Sequence, residues 1–260
     1  MTQVEPSRAR LKATRLPSGK AIVISAGVTL AVLLGVLSWS QVETDLSADD
    51  AAYVKKFYPA AVTLRPATWE EQLHLIKAVQ AAVIDRALLR HDIPEGQARE
   101  PRDVWNARSG LCYDVSRTIE KILSYQGFEV RHLYIGRSRT QDVMSAIALL
   151  GGRVQSHAVS EVKTAAGWLI VDSTSKWLSL DPHDRPVSVR ELHANRTLWL
   201  AGFGGPVPDL FKEDFFFITG LYSRHGKFYS PFNAVPDVAW DQFYQGMVVE
   251  ALLKAPAPDR

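Results

Sequence analysis

Residues 21–39, AIVISAGVTLAVLLGVLSW, hold no charged side chain. An apolar run without a polar face has two homes, a membrane or a deeply buried core. At about 1.5 Å per residue a helix of this length spans roughly 28 Å, close to a bilayer hydrocarbon core. Only the chain beyond it is left to build a water-exposed globule. Arg8, Arg10, Lys12, Arg15 and Lys20 precede the run, opposed only by Glu5, while Glu43, Asp45, Asp49 and Asp50 follow it. Trp39 at the far edge suits the membrane interface. The positive-inside rule puts residues 1–20 in the cytoplasm as a basic tail and the rest outside. The competing reading is a cleavable signal peptide cut near Ser38-Trp39-Ser40, against which stands a run longer than the usual ~7–15 apolar residues. The expectation is one uncleaved span over 21–39 in an inner (cytoplasmic) membrane, with a periplasmic, extracytoplasmic domain.

Beyond the span, the expected organisation is a juxtamembrane linker over 40–66, with a short helix near 48–57, and a folded domain over 67–260. With the five basic residues of the tail set apart, the remainder is slightly acidic. That gives no reason to expect a nucleic-acid surface. Hydrophobic residues make up 47% of the chain, enough for a globular core.

Thr68-Trp69-Glu70-Glu71 reads as a capping box, and Leu73, Ile76, Val79, Ala82, Val83 and Ala87 recur at helical spacing, predicting a helix over 69–90. Pro94 and Gly96 end that region, and 97–111 reads as a polar loop. Ser109 is a candidate cap for a helix over 110–126, which carries Val115, Ile119, Ile122 and Leu123 on one face and ends at Gly127. Residues 128–135 alternate like a strand. A short helix is expected over 140–150. Strands follow at about 156–163 and 168–174, joined by Thr164-Ala165-Ala166-Gly167. Ser188-Val189-Arg190-Glu191 is a second capping box, opening a helix to about 200. Residues 201–240 are aromatic-rich and read as irregular, and a last helix is expected over 237–253. Helices first and antiparallel strands after make the class α+β.

Cys112 is the one cysteine of the chain. It can form no internal disulfide and no four-thiolate zinc site. It stands in Gly110-Leu111-Cys112-Tyr113-Asp114, at a helix start, where unpaired N–H groups and the positive end of the dipole favour a thiolate. The bland reading is an inert core thiol. Downstream, His157 and Asp172 lie on successive strands. If Ala165-Ala166 is a two-residue hairpin loop, Thr164 faces Gly167, His157 faces Thr174, and Asp172 is one diagonal step from His157 on the same face. Asp172, in Trp168-Leu169-Ile170-Val171-Asp172, is a carboxylate in an apolar strand and needs a partner. Nucleophile, base and orienter then stand in one order. The Cys112 N–H is one candidate oxyanion donor, and Asn106 or Trp105 a second. Glu161, Arg131 and His132 are candidates for ion pairing near the site. No cofactor and no metal are expected. His183, His193 and His225 are too scattered for a metal cluster.

These residues resemble the transglutaminase-like superfamily, relatives of the papain-type thiol proteases. The likeness covers about 105–175. It rests on Arg108-Ser109-Gly110-Leu111-Cys112-Tyr113-Asp114, Gly127-Phe128-Glu129-Val130-Arg131, Ser156-His157-Ala158-Val159 and Gly167-Trp168 through Asp172-Ser173-Thr174. It implies a transglutaminase-like or papain-like α+β core, its nucleophile at a helix N-terminus packed on an antiparallel sheet, and a Cys112–His157–Asp172 triad. The implied activity is a bacterial, membrane-anchored cysteine hydrolase or acyltransferase. It would act on peptide or envelope-polymer amides through a thioester. The alternative is a non-catalytic scaffold of the same fold in an envelope or polysaccharide assembly complex.

Overall fold

The computed structural model describes residues 19–61, 64–88, 91–93, 98–137, 155–195, 207–222 and 237–246. The expected helix over 140–150, most of the basic tail, His225 and the far ends of the expected 188–200 and 237–253 helices lie outside them. The chain forms two compact units, 1–39 and 40–260.

The first unit contributes helix α1 (Gly19–Ser40). Its described side chains begin at Val28, so the expected span is described only in part. Among the described residues no helix is long and apolar enough to cross a membrane.

The second unit opens with three capped helices. Helix α2 (Ala48–Phe57) starts at Ser47, whose hydroxyl accepts from the Asp50 N–H while the Asp50 carboxylate accepts from the Ser47 N–H. Helix α3 (Trp69–Arg86) has the capping box expected at Thr68 and Glu71. Helix α4 (Pro101–Ala107) lies inside the stretch expected as a polar loop. The loop reading is corrected there. Pro101 fits the first turn, where its missing N–H costs nothing, and Asp103 accepts from the Glu100 N–H. Helix α5 (Cys112–Tyr125) follows and ends at Gln126-Gly127, with Gly127 at φ 80, a conformation that suits glycine.

The main sheet has the order β3-β2-β1-β4, antiparallel throughout. Its strands are β1 (Glu129–Arg137), β2 (Ser156–Thr164), β3 (Gly167–Val171) and β4 (Phe215–Thr219). Strand β4 was hidden in the sequence. Its run Phe215-Phe216-Phe217-Ile218-Thr219 shows no polar alternation, because aromatic residues from it pack on both faces of the sheet. Helix α6 (Val189–Ala194) opens at the expected Ser188 and Glu191 box, a 3₁₀ turn spans Asp209–Lys212, and a ribbon of β5 (Leu221–Tyr222) and β6 (Asp237–Val238) precedes α7 (Trp240–Tyr244).

The two faces of the sheet bury different cores. On one, Val162, Leu169 and Val171 meet Val54 and Phe57 of α2, Ile76, Val79 and Val83 of α3, Val104 of α4 and Ile119, Ile122 and Leu123 of α5. The segment 40–66 therefore supplies part of the core through α2. On the other, Leu133, Ile135, Val159 and Ile170 meet Trp177, Val189, Leu192, Phe211, Phe215 and Phe217. Residues of opposite parity on one strand thus serve separate cores, as a pleated sheet covered on both faces requires. Helix α5 is enclosed almost all round: every residue from Asp114 to Leu123 is buried.

Candidate active site

The hairpin of β2 and β3 has a two-residue loop, and Thr164 pairs with Gly167 as the parity argument requires. The ladder ends at Ser160 and Val171, so Asp172 leaves the strand instead of continuing it, and the expected facing of His157 and Thr174 does not form. His157 pairs on its other side with Ile135 of β1. Its side chain still meets Asp172: the imidazole Nε2 lies 2.6 Å from Oδ1. That contact leaves Nδ1 unengaged by Asp172, and the neighbouring Cys112 acts with Asp172 to raise the His157 pKa. The three side chains expected from the sequence are brought together, each from a different element.

Asp172 is fully buried, and its second oxygen is saturated. Oδ2 accepts from the Thr174 and Ser175 N–H groups, at 3.1 and 2.6 Å, and from both hydroxyls, at 3.1 and 2.7 Å. Burial alone would raise its pKa, but the His157 hydrogen bond and charge, with the Ser175 contacts, hold it below the ordinary carboxylate value. For His157, burial pushes the pKa down, yet the hydrogen bonds to Asp172 and Cys112 outweigh it and raise it to about 10. An imidazolium here is favoured by the Asp172 carboxylate on Nε2 and by the neighbouring Cys112.

The turn after Asp172 is clamped from below by Gln80. This side chain, buried on α3, donates from Nε2 to the carbonyls of Asp172 (2.8 Å), Ser175 (3.1 Å) and Trp177 (2.8 Å). The clamp was missed in the sequence, where Gln80 is one polar residue among the apolar positions of α3. The hydroxyl cradle left a fainter signal: Asp-Ser-Thr-Ser is a run whose side chains fold back on their own backbone.

The start of α5 is fixed by a buried ion pair. Asp114 accepts from the Leu111 N–H at 2.9 Å and from Arg99 Nη1 at 2.9 and 3.2 Å. Burial raises Asp114 to about 6, and Arg99 pulls against that rise. The N-cap is Leu111, and Ser109 does not cap the helix. Its hydroxyl instead bridges the N–H and carbonyl of His91. With Leu111 satisfied by Asp114, and the Asp114 and Val115 N–H groups turned back to the Leu111 carbonyl, the N–H groups of Cys112 and Tyr113 are the first-turn donors left for an oxyanion.

The other two expected oxyanion donors are not brought to the triad by any contact among the described residues. The Trp105 ring packs edge-on to Phe57 and under Arg86, and its carbonyl accepts from Arg86 at 2.7 and 3.1 Å. Asn106 is exposed on α4. Arg131 and His132 do pair with acids, but with Glu161 and Glu120, away from Cys112. His193 sits edge-on to Phe215 and Phe217, and among the described residues no cluster of three His, Cys, Asp or Glu side chains could hold a metal.

No protein-family model matches the chain, and no curated protein matches its sequence.

Proposed function

We propose that the chain is a transglutaminase-like thiol acyl-transfer enzyme that cleaves or exchanges an amide bond through a thioester on Cys112. The observation that carries this reading is the contact of the His157 imidazole with buried Asp172 through Nε2, beside Cys112 at the head of α5. A nucleophile–base–orienter chain needs the base between its two partners.

In the proposed reaction the Cys112 sulfur attacks the carbonyl carbon of the substrate. The oxyanion that forms is met by the Cys112 and Tyr113 N–H groups at the head of α5. Collapse breaks the C–N bond, and the His157 imidazolium gives its Nδ1 proton to the departing amine. Neutral His157 then takes a proton from water or from an acceptor amine as that group attacks the thioester, and the thiol is restored. Asp172 holds the imidazole by one oxygen while Thr174 and Ser175 fix the other. Peptides and envelope polymers are the proposed substrate class, because the proposed topology puts the domain outside the cytoplasm on the span over 21–39.

An iodoacetamide-type probe tests the site on the full chain. Labelling of Cys112 should be lost or strongly slowed in His157→Ala. Equal labelling rates in the two proteins would overturn the reading. For the topology, reporter fusions placed after residue 60 should read as extracytoplasmic; a mature chain beginning near Gln41 would sink the anchor.

A further inference from the structure

A cavity of about 560 Å³ opens at the end of the sheet away from the triad. Its walls come from α5, the first residues of β1, the last of β2 and the first of β3, with residues 44–46, Tyr222 and residues 241–245 closing it. Lys163 on its rim is six residues along β2 from His157, roughly 20 Å at the rise of an extended strand. The volume lies in the range of small-molecule sites.

Four cations line it, and each is already engaged. Arg117 makes a bidentate pair with Glu100, Lys121 pairs with Asp50, Arg131 with Glu161 and Lys163 with Glu129. Four carboxylates line it too: Asp45, Glu120, Glu129 and Asp241. Glu120 is held by His132 at 2.7 Å and Tyr222 at 2.8 Å. An anionic ligand would have to break one of these pairs and would leave a carboxylate uncompensated. A neutral ligand with many hydroxyls would not.

Two further features fit such a ligand. Trp168 lines the cavity and is only half-buried; Arg131 lies over its ring at 4.1 Å and the Lys163 ammonium at 5.8 Å. An indole so placed is a stacking wall for the C–H face of a sugar ring. The second is backbone. Strand β4 stops pairing with β1 at Leu133, and Gly220, at φ 76, turns the chain off the sheet. The His132 N–H donates to Gln242 and its carbonyl accepts from Gly220. By the alternation of an antiparallel strand, the Val130 N–H and carbonyl point to the same side, where no strand follows among the described residues. One residue's donor and acceptor are too few for an added peptide strand, but they suit adjacent hydroxyls.

The geometry points to a second, non-catalytic site in this cavity that binds a neutral oligosaccharide. Its location is independent of whether Cys112 is a nucleophile.

Isothermal titration of the full chain with chitotriose, maltotriose and cellotriose tests it, alongside a trimeric uronate, inorganic phosphate and an end-blocked neutral tripeptide. At least one neutral trisaccharide should bind in the millimolar range or tighter. Trp168→Ala should weaken it about tenfold or more, with Cys112 labelling unchanged. Ser124→Phe, which places a ring in the cavity from α5, should abolish it and serves where Trp168→Ala does not fold. Absence of heat with all three sugars overturns the proposal. So does binding that survives both substitutions, or preferential binding of the uronate, phosphate or peptide.

Discussion

The Gln80 side chain reaches from α3 to the Asp172 carbonyl, 2.8 Å away, across 92 positions of sequence. The same amide group holds the Ser175 and Trp177 carbonyls, so one residue defines the turn that carries the carboxylate of the candidate site. Gln80→Ala removes the Gln80 donor from the buried Asp172 carbonyl and the half-buried Ser175 carbonyl, and should cost about 1–3 kcal/mol of stability. It should also slow Cys112 labelling under conditions where the variant is fully folded. Denaturant unfolding and labelling rates measured together check both effects; unchanged labelling in the folded variant would separate the clamp from the site.

Asp172→Asn keeps the shape but removes the charge that favours the His157 imidazolium. Turnover, or labelling in its place, should fall about 100-fold or more, with the unfolding midpoint close to that of the parent. Normal rates in this variant would remove Asp172 from the proposed mechanism.

The His157–Asp172 pair gives stability a defined pH dependence. His157 is raised from 6.5 to about 10 in the folded protein, so its contribution is full below 6.5 and fades as pH climbs through about 10. Asp172 is lowered from 3.8, so its contribution is present above 3.8 and disappears as pH falls through its depressed folded value. The pair stabilises most between about 4 and 6.5. Unfolding midpoints across pH should therefore show a smaller alkaline decline in His157→Ala than in the parent; parallel curves would contradict this linkage.

Arg99→Met should destabilise by about 3–5 kcal/mol, because it leaves the buried Asp114 carboxylate unpaired. Since Asp114 also caps α5 through Leu111, Cys112 labelling should slow in the surviving folded fraction. Arg99→Lys should restore part of the stability and less of the labelling, as a single ammonium cannot hold Asp114 as Nη1 does and also donate to the Ile93 carbonyl as Nη2 does. Thermal unfolding and labelling of the two variants decide it.

Cys112→Ser should fold with a near-parental midpoint and form no acyl adduct with an activated ester. As no other cysteine exists, mass spectrometry of the parent should place any thioester on this residue. Equal adduct formation in Cys112→Ser would point to a different nucleophile.

Local sequence determined the elements whose signals are short-range. The capping boxes at Thr68 and Ser188, the α5 periodicity ending at Gly127, and the parity of the β2–β3 hairpin all depend on residues within a few positions of one another. The order of Cys112, His157 and Asp172 is read directly along the chain. Tertiary structure decided what depends on distant partners. It made a core strand of Phe215–Thr219, whose apolar residues show no alternation because both faces are covered. It gave 101–107 a helix through caps that a polar stretch conceals. It turned Asp172 off the ladder into a cradle closed by Gln80, and it took Trp105 away to Phe57 and Arg86. A hydrogen bond across 92 residues leaves no local trace in the chain: either end is an ordinary polar residue until packing brings the two together.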